Sequence, residues 1–248
     1  MRGLTNKRIL ITGAAGGIGS ATAARFVQEG ARVVALDRDT QALERLVAHL
    51  PGVHGTLVAD VSQADDVARA FGELDALAGG LDVLINNAGV SLRHNLIDIA
   101  PDEWRQVMSV NLDGVFNVCR AIGRGMVERR EGKVINICSL LSEAARPGVT
   151  PYAASKGAVK MLTRALAVEW APFNVQVNGI GPGYFVTEMT MGLRNDPERD
   201  EWVRDRTPAG RWGRPEELVG AAVFLASPAS SFVTGQIIYV DGGWLASL

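Results

Sequence analysis

The glycine-rich turn near the amino terminus constrains the fold of this chain more than any other feature. The short strand-like run "RILIT" (8–12) leads directly into "TGAAGGIG" (12–19). Glycine where a strand joins a helix permits a tight turn and lets a pyrophosphate approach the backbone. The following helix offers free N–H groups and a favourable dipole to a phosphate. We therefore predict a dinucleotide site that includes Gly13, Gly17, Ile18 and Gly19.

The same order of strand and helix repeats along the chain. Short runs rich in β-branched residues, such as "RVVAL" (32–36) and "VQVNGI" (175–180), alternate with longer helical patterns, one of them at about 103–130. This alternation indicates parallel strands joined by right-handed crossovers. We predict one α/β domain over residues 1–248, a Rossmann-type doubly wound parallel sheet of about seven strands with helices on both faces. A less regular segment lies at about 184–210.

The composition argues against several classes of function. A formal net charge of −2 gives no excess of positive charge for nucleic acid or an anionic membrane. No apolar run reaches the roughly 18 residues that a membrane-spanning helix needs. Cys119 and Cys138 suit neither a disulfide framework nor a metal site. We predict a cytoplasmic protein with reduced thiols, no metal, no nucleic-acid partner and no membrane contact.

A carboxylate at the end of the second strand bears on the choice of cofactor. Asp37 in "ALDRD" lies about 20 residues past the glycine turn, where a carboxylate can accept the adenosine ribose hydroxyls. It would repel the additional phosphate of NADP. Arg38 is the opposing observation, since it could turn toward that phosphate. We predict NAD, with NADP less favoured; the alternative role of Asp37 is a helix cap.

Two further strand ends are expected to line the same crevice. Asp60 could bond the adenine amino group while Val61 packs on the ring, and a capping role for Asp60 is compatible with this. The run "NNAGV" (86–90) provides small residues where the cofactor must lie close, namely Asn87, Ala88 and Gly89.

A tyrosine and a lysine lie four residues apart in "TPYAASKGAVK" (150–160). That spacing places Tyr152 and Lys156 on one face of a helix. A free phenol has a pKa near about 10, too high for a good base at neutral pH, and a nearby cation favours the phenolate. A solvated surface pair is the alternative.

The ordered set of motifs resembles the short-chain dehydrogenase/reductase family. "TGAAGGIG", "NNAG", Asn111, Ser139, "YAASK" and "PG" (182–183) occur in the family's order and span essentially the whole chain. The resemblance implies that Tyr152 is the general acid/base and that Lys156 activates it and binds the nicotinamide ribose. It also implies that Ser139 holds the substrate oxygen, and that Asn111 holds a water for proton relay.

The same resemblance implies roles for the segment after the sixth strand. Pro182 and Gly183 turn the chain away from the sheet beside the cofactor, and the backbone of Val186 and the hydroxyl of Thr187 match positions that bind the nicotinamide carboxamide. Residues 184–210 then correspond to a substrate lid. Family members are mostly tetramers, so we expect a homotetramer.

Three stretches are similar to the gluconate 5-dehydrogenase subfamily, which interconverts D-gluconate and 5-keto-D-gluconate. They are "KVINICSLLSEAARPGVTPYAASKGAVKMLTR", "GPGYFVTEMT" and "RTPAGRWGRPEELVGAAVFLAS". Such a substrate needs a cation for its carboxylate, and arginine offers a bidentate fork. The candidate substrate residues are Arg93, His94, Glu143 and Arg146, each of which could instead be an ordinary surface residue.

Two other functions stay open. A reductase of 3-oxoacyl chains or other ketones would use the same reacting residues, and acidic acyl carriers would also suit the arginines. A catalytically silent nucleotide-binding protein is a more distant alternative, because it predicts the loss of at least one reacting group and all four are present.

Overall fold

The computed structural model describes residues 3–247, apart from the side chains of residues 75–78. In these residues seven strands form one sheet. The strands are β1 (Arg8–Thr12), β2 (Arg32–Asp37), β3 (Gly55–Val58), β4 (Val83–Asn86), β5 (Gly132–Ile137), β6 (Val175–Pro182) and β7 (Ile237–Val240).

The strand order is β3-β2-β1-β4-β5-β6-β7, and every neighbouring pair is parallel. Register across the centre sets Ile9 of β1 opposite Val33 of β2 and Val83 of β4. The chain builds outward from β1 in one direction, then returns to β4 and builds in the other. This confirms the predicted doubly wound sheet and creates a switch point between β1 and β4.

Helices cover both faces of the sheet. They are α1 (Gly17–Gln28), α2 (Thr40–His49), α3 (Ala64–Ala78), α4 (Pro101–Met108), α5 (Gly114–Arg129), α6 (Thr150–Trp170), α7 (Glu188–Arg194), α8 (Pro197–Arg206) and α9 (Pro215–Ala226). Phe26 of α1 and Leu218 of α9 are fully buried in the core on one face. Val118 of α5 and Val159 of α6 are fully buried in the core on the other. The apolar strand residues are therefore covered from both sides, as parallel strands require.

The helix predicted at about 103–130 is interrupted. A π-helical turn, Ser109–Asp113, separates α4 from α5 and contains Asn111. Such turns insert one residue into a helix and are frequent at functional sites. Asparagine is a poor helix former, but periodicity alone does not locate the interruption.

The segment at 184–210 is more regular than predicted, because it contains α7 and α8. Asp196 caps α8 by accepting hydrogen bonds from Glu198 N and Arg199 N, and Pro197 occupies the first helical position. Short polar helices carry little periodic signal, which explains the wrong prediction. Leu193 and Val203 pack with Trp212 in a small core of their own.

Within residues 3–247, none of the helices has the length and apolar character needed to span a bilayer.

Candidate active site

A cavity opens at the carboxyl edge of the sheet, at the switch point between β1 and β4. Ligands of doubly wound sheets bind at this position. Its wall contains the predicted residues Gly13, Gly17, Ile18, Asp37, Arg38, Asp60, Val61, Asn87, Ala88, Gly89, Ser139, Tyr152, Lys156, Pro182, Gly183 and Thr187. The structure thus brings most of the predicted cofactor residues into one cavity with Ser139, Tyr152 and Lys156.

The glycine turn fits a dinucleotide because it leaves backbone exposed to the cavity. Gly13 has φ +62°, and a Cβ there would lie 2.8 Å from Ala88 Cα. Gly16 caps α1 without a side-chain hydrogen bond, so the first N–H groups of the helix stay open to a phosphate.

Gly19 requires a correction, since it does not line the cavity. A Cβ at Gly19 would lie 2.1 Å from Gly13 O. Its role is to let α1 approach the turn, whereas Gly13, Gly16, Gly17 and Ile18 line the cavity.

The "NNAG" segment is bonded directly to the glycine turn. Thr12 Oγ1 accepts hydrogen bonds from Asn87 N at 3.0 Å and Ala88 N at 3.1 Å. Asn87 Nδ2 donates to Gly13 O at 2.8 Å. These bonds set the separation of β1 and β4 where the cofactor would lie.

Asp37 does not cap α2, since Asp39 does so through a bond from Ala42 N at 3.0 Å. Instead the Asp37 carboxylate accepts from Ala15 N at 3.1 Å and from Asp39 N at 3.2 Å. It is therefore held beside the glycine turn. Arg38 is largely exposed, and its Nη1 lies 4.0 Å from Asp60 Oδ2.

Asp60 does not cap α3 either. Its Oδ1 accepts from Ser62 N at 2.9 Å and from Ser62 Oγ at 2.7 Å, which closes a local turn after β3. The turn keeps Asp60 and Val61 in the cavity wall.

The reacting residues come from α6 and from the end of β5. Lys156 Nζ lies 5.8 Å from the centroid of the Tyr152 ring and donates to Ile137 O at 2.7 Å. Ser139 Oγ accepts from Leu141 N at 3.1 Å, so its own proton can be donated to another oxygen. A hydroxyl, a phenol and an ammonium therefore converge at one end of the cavity.

Burial sets the protonation of this group. It raises the pKa of the Tyr152 phenol above its ordinary value, while Ser139 and the charge of Arg93 act in the opposite direction. Burial also lowers the pKa of Lys156 to about 8. A phenol that keeps its proton can donate it to a carbonyl oxygen, as the reduction of a ketone requires.

Asn111 is fully buried and lies behind the cavity wall. Its Oδ1 accepts from Val90 N at 2.8 Å, and its Nδ2 donates to Val90 O at 2.9 Å and to Ser155 Oγ at 3.0 Å. The side chain therefore joins the end of the "NNAGV" run to α6.

The predicted backbone contact of Val186 is limited to its carbonyl oxygen, because its N–H has a partner in the protein. Val186 N donates to Gly213 O at 2.9 Å, so this N–H is not available to a carboxamide. The side chain packs against the small core that includes Leu193 and Trp212. Thr187, the other residue predicted for this role, does line the cavity.

The predicted substrate residues do not all meet. Arg93, His94 and Arg146 line a second cavity beside the lid. Glu143 lies elsewhere, where its carboxylate pairs with Lys160 and accepts from Tyr239 Oη at 2.7 Å. Glu143 lines neither of the two cavities, so the structure does not bring it together with the other predicted substrate residues.

The comparison with known families decides the identity of the fold and chemistry. A family model described as enoyl-(acyl carrier protein) reductase matches residues 13–245. The chain belongs to the short-chain dehydrogenase/reductase family. It is an oxidoreductase that acts on CH–OH groups with a nicotinamide cofactor.

Within this family, the similarity to curated relatives extends over the full chain. The chain is 48% identical to the 5-keto-D-gluconate 5-reductase of Escherichia coli K12, covering 99% of this chain and 98% of that protein. It is 46% identical to the gluconate 5-dehydrogenase of Gluconobacter oxydans, covering 99% and 97%. A solved gluconate 5-dehydrogenase of Burkholderia cenocepacia, in complex with NADP and tartrate, has a TM-score of 0.95 and 46% identity over 99% of this chain and 97% of that chain.

Two serines beside the short-chain dehydrogenase/reductase motifs were missed by sequence reasoning. Ser142 Oγ accepts from Ser139 N at 3.2 Å and donates to Lys156 O at 3.0 Å, so it connects two reacting residues. Ser155 Oγ accepts from Asn111 and donates to Tyr152 O at 2.8 Å. The only signal in the sequence is their position next to the motifs, three residues from Ser139 and from Tyr152.

Proposed function

We propose that the chain interconverts a hydroxyl and a keto group on a sugar acid, of the D-gluconate and 5-keto-D-gluconate type. The observation that carries the proposal is the position of Arg93, which connects the reacting group with the lid. Its charge acts on the Tyr152 phenol, and its Nη2 donates to Met189 O in the lid at 2.8 Å. Arg146 lines the same cavity as Arg93. Two guanidinium groups in one cavity, one of them close enough to act on Tyr152, suit a substrate that carries a carboxylate.

The reaction needs a proton moved on the substrate oxygen. Tyr152 donates that proton during reduction and accepts it during oxidation. Ser139 donates a hydrogen bond to the same oxygen and stabilises its developing charge. The bound nicotinamide cofactor supplies or accepts the hydride, and the residues described above as the cavity wall would hold it.

Lys156 and Asn111 support the proton transfer. The Lys156 ammonium, fixed by Ile137 O, lies close enough to favour the phenolate when Tyr152 loses its proton. The side chain of Asn111 is fully engaged with Val90 and Ser155. We infer that the water-holding role falls to its main-chain carbonyl in the π-helical turn, where the regular helical bonding is interrupted.

For the cofactor, we propose that the site accepts both nicotinamide dinucleotides and that Asp37 biases it toward NAD. The Asp37 carboxylate is fixed beside the glycine turn by two backbone N–H groups, a position that suits ribose hydroxyls. The NADP in the Burkholderia structure supports the use of NADP by this fold, and Arg38 is the cation able to meet the additional phosphate.

Two substitutions test the cofactor proposal. Asp37→Ala is expected to raise the ratio of kcat/KM with NADP to kcat/KM with NAD about tenfold, since repulsion worth about 1.4 kcal/mol is removed. Arg38→Gln is expected to lower the same ratio. Equal ratios in the wild type and both variants would refute the roles of these residues.

The substrate proposal is tested by steady-state rates with D-gluconate and 5-keto-D-gluconate, each with NAD(H) and NADP(H). Turnover of both compounds is expected. A panel with a 3-oxoacyl thioester and a neutral ketone provides the comparison. If the thioester is reduced and gluconate is not oxidised, the proposal fails and the chain is a ketone reductase of the same family.

We further propose a homotetramer in the cytoplasm. On α5 and α6 the side chains of Phe116, Met161 and Val168 remain 51%, 58% and 79% exposed, which supports contact with a second copy. The free thiols of Cys119 and Cys138 are buried, as suits a reducing compartment. Light scattering tests the assembly: a species of 26.4 kDa would exclude it, and Val168→Glu is expected to weaken it.

A further inference from the structure

The cavity beside the lid contains a third arginine that the reacting chemistry does not use. Arg199, on α8, lines this cavity together with Arg93 and Arg146. The carboxylate in the same wall belongs to Asp98. A second carboxylate, Asp196, lies 3.1 Å from Arg199 Nε. The cavity wall therefore contains three arginines and one carboxylate, and Asp196 pairs with Arg199 beside it.

Buried polar atoms beside this cavity are not satisfied by the protein. Among the described residues, Arg93 Nε and Arg146 Nε are buried without a hydrogen-bond partner. Buried donors of this kind are normally hydrogen-bonded, and an unpaired one carries a free-energy cost. Burial and the charges of Arg146 and Arg199 lower the pKa of Arg93, so the positive groups act on one another. A ligand with several anionic oxygens would relieve both costs.

The three arginines come from different parts of the fold. Arg93 follows the "NNAGV" run and Arg146 lies in the loop before α6, whereas Arg199 belongs to the lid. Arg93 already touches the lid, because its Nη2 donates to Met189 O and its Nη1 would lie 3.7 Å from a Cβ at Gly192. A ligand in this cavity would therefore meet residues of two loops and of α8.

We propose that Arg199 is a specificity residue that closes an anion subsite over the carboxylate of the substrate. The subsite is the three-arginine cavity formed by Arg93, Arg146 and Arg199. The proposal rests on the proposed function for the identity of the substrate. It adds that the lid recognises charge, so a sugar acid is bound by both the loops and α8, whereas a neutral polyol of the same length lacks the contact with α8.

The test compares Arg199→Gln with Arg204→Gln. Arg204 lies on the same helix and pairs with Asp200 at 2.9 Å, outside the three-arginine cavity, so its removal controls for the loss of a charge and an ion pair. Binding of tartrate is measured in the presence of saturating NADP by quenching of tryptophan fluorescence. This signal is available because Tyr184 contacts the rings of Trp202, Trp212 and Trp244. Steady-state rates with D-gluconate and with D-sorbitol are measured on the same samples.

We expect Arg199→Gln to raise the Kd of tartrate and the KM of gluconate about tenfold, with kcat and the rate with sorbitol within twofold of the wild type. Arg199→Lys is expected to recover part of the affinity, and Arg204→Gln to behave as the wild type.

Two results would overturn the inference: no tartrate or gluconate binding by the wild type, or equal constants in the wild type and Arg199→Gln. If the wild type binds tartrate through Arg199 but does not oxidise gluconate, the proposed substrate is wrong and the anion subsite stands.

Discussion

Around the reacting residues, the polar side chains behind the cavity wall form hydrogen bonds within the protein. In the three-arginine cavity, by comparison, buried polar atoms lack a partner among the described residues. Asn111 bonds Val90 and Ser155, and Ser142 bonds the backbone of both Ser139 and Lys156. By contrast, Arg93 Nε and Arg146 Nε are buried without a partner. The first region is preorganised for one chemistry, and the second depends on its ligand to complete its bonding.

The difference has a functional meaning. A reaction common to many alcohols needs a fixed proton donor and a fixed cofactor, so its geometry is built into the sheet edge and α6. The choice of substrate needs groups that different ligands can satisfy, and these lie on loops and on the lid. The predictions below contrast the two regions, from the largest expected effect to the smallest.

Tyr152→Phe should have the largest effect. Removing the phenolic oxygen removes the proton donor but keeps the ring that packs beside Lys156. General acid–base groups contribute about 10²–10⁴-fold, so kcat is expected to fall about 1,000-fold in both directions of the reaction. Cofactor binding, measured by fluorescence titration, should stay within twofold. Turnover near that of the wild type would refute the acid–base role.

Gly19→Ala tests how tightly α1 packs against the glycine turn. The new Cβ would lie 2.1 Å from Gly13 O, so the turn or α1 must move. Overpacking of this kind costs about 1–3 kcal/mol, and we expect a loss at the upper end together with weaker cofactor binding.

The control for this change is Gly220→Ala in α9, where a Cβ meets nothing within 4 Å. There alanine should stabilise the helix by about 0.5–1 kcal/mol. Chemical denaturation and cofactor titration measure both variants. Equal stability of the two would contradict the packing assigned to Gly19.

The glycine turn and the reacting residues were also more predictable from the sequence than the three-arginine cavity. Glycine positions and the Tyr152–Lys156 spacing follow from backbone geometry and helix periodicity, which a single chain displays directly. The π-helical turn at Asn111 cannot be predicted in this way, because it depends on packing. The hydrogen bond of Val186 N cannot be predicted either, because its acceptor, Gly213 O, is distant in sequence. Arg199 was missed for the same reason: no spacing relates a lid helix to Arg93 and Arg146.

Arg146→Gln tests the three-arginine cavity at the residue that the loop before α6 contributes. Hydrogen bonds to charged groups are worth about 1.5–3 kcal/mol, so we expect kcat/KM for gluconate to fall about 30-fold, mainly through KM. Because the substitution also removes a buried donor that has no partner in the described protein, Arg146 Nε, we expect only a small change in Tm. Arg45→Gln, on the exposed side of α2, is the matched control. A large fall in Tm, or a kcat effect without a KM effect, would contradict a role in substrate binding.

A half-buried lysine outside both regions, Lys133, provides a comparison with Lys156. Burial lowers the pKa of Lys133 to about 8, as it does for Lys156, but Lys133 lies at the amino end of β5 and donates to Ser230 Oγ at 3.0 Å. The ordinary pKa of a lysine is 10.5. Between about pH 8 and 10.5 the unfolded chain therefore binds more protons than the folded one, and stability rises with pH. Below this window the cost of a buried charge is fully present.

Lys133→Met removes that cost where no function depends on the charge. We expect Tm at pH 7 to increase by about 2 °C, and the rise in stability between pH 8 and 10 to become smaller but not to vanish, because Lys156 still titrates. Calorimetry across this range measures both effects, and activity should be unchanged. An unaltered slope would mean that Lys133 keeps its ordinary pKa.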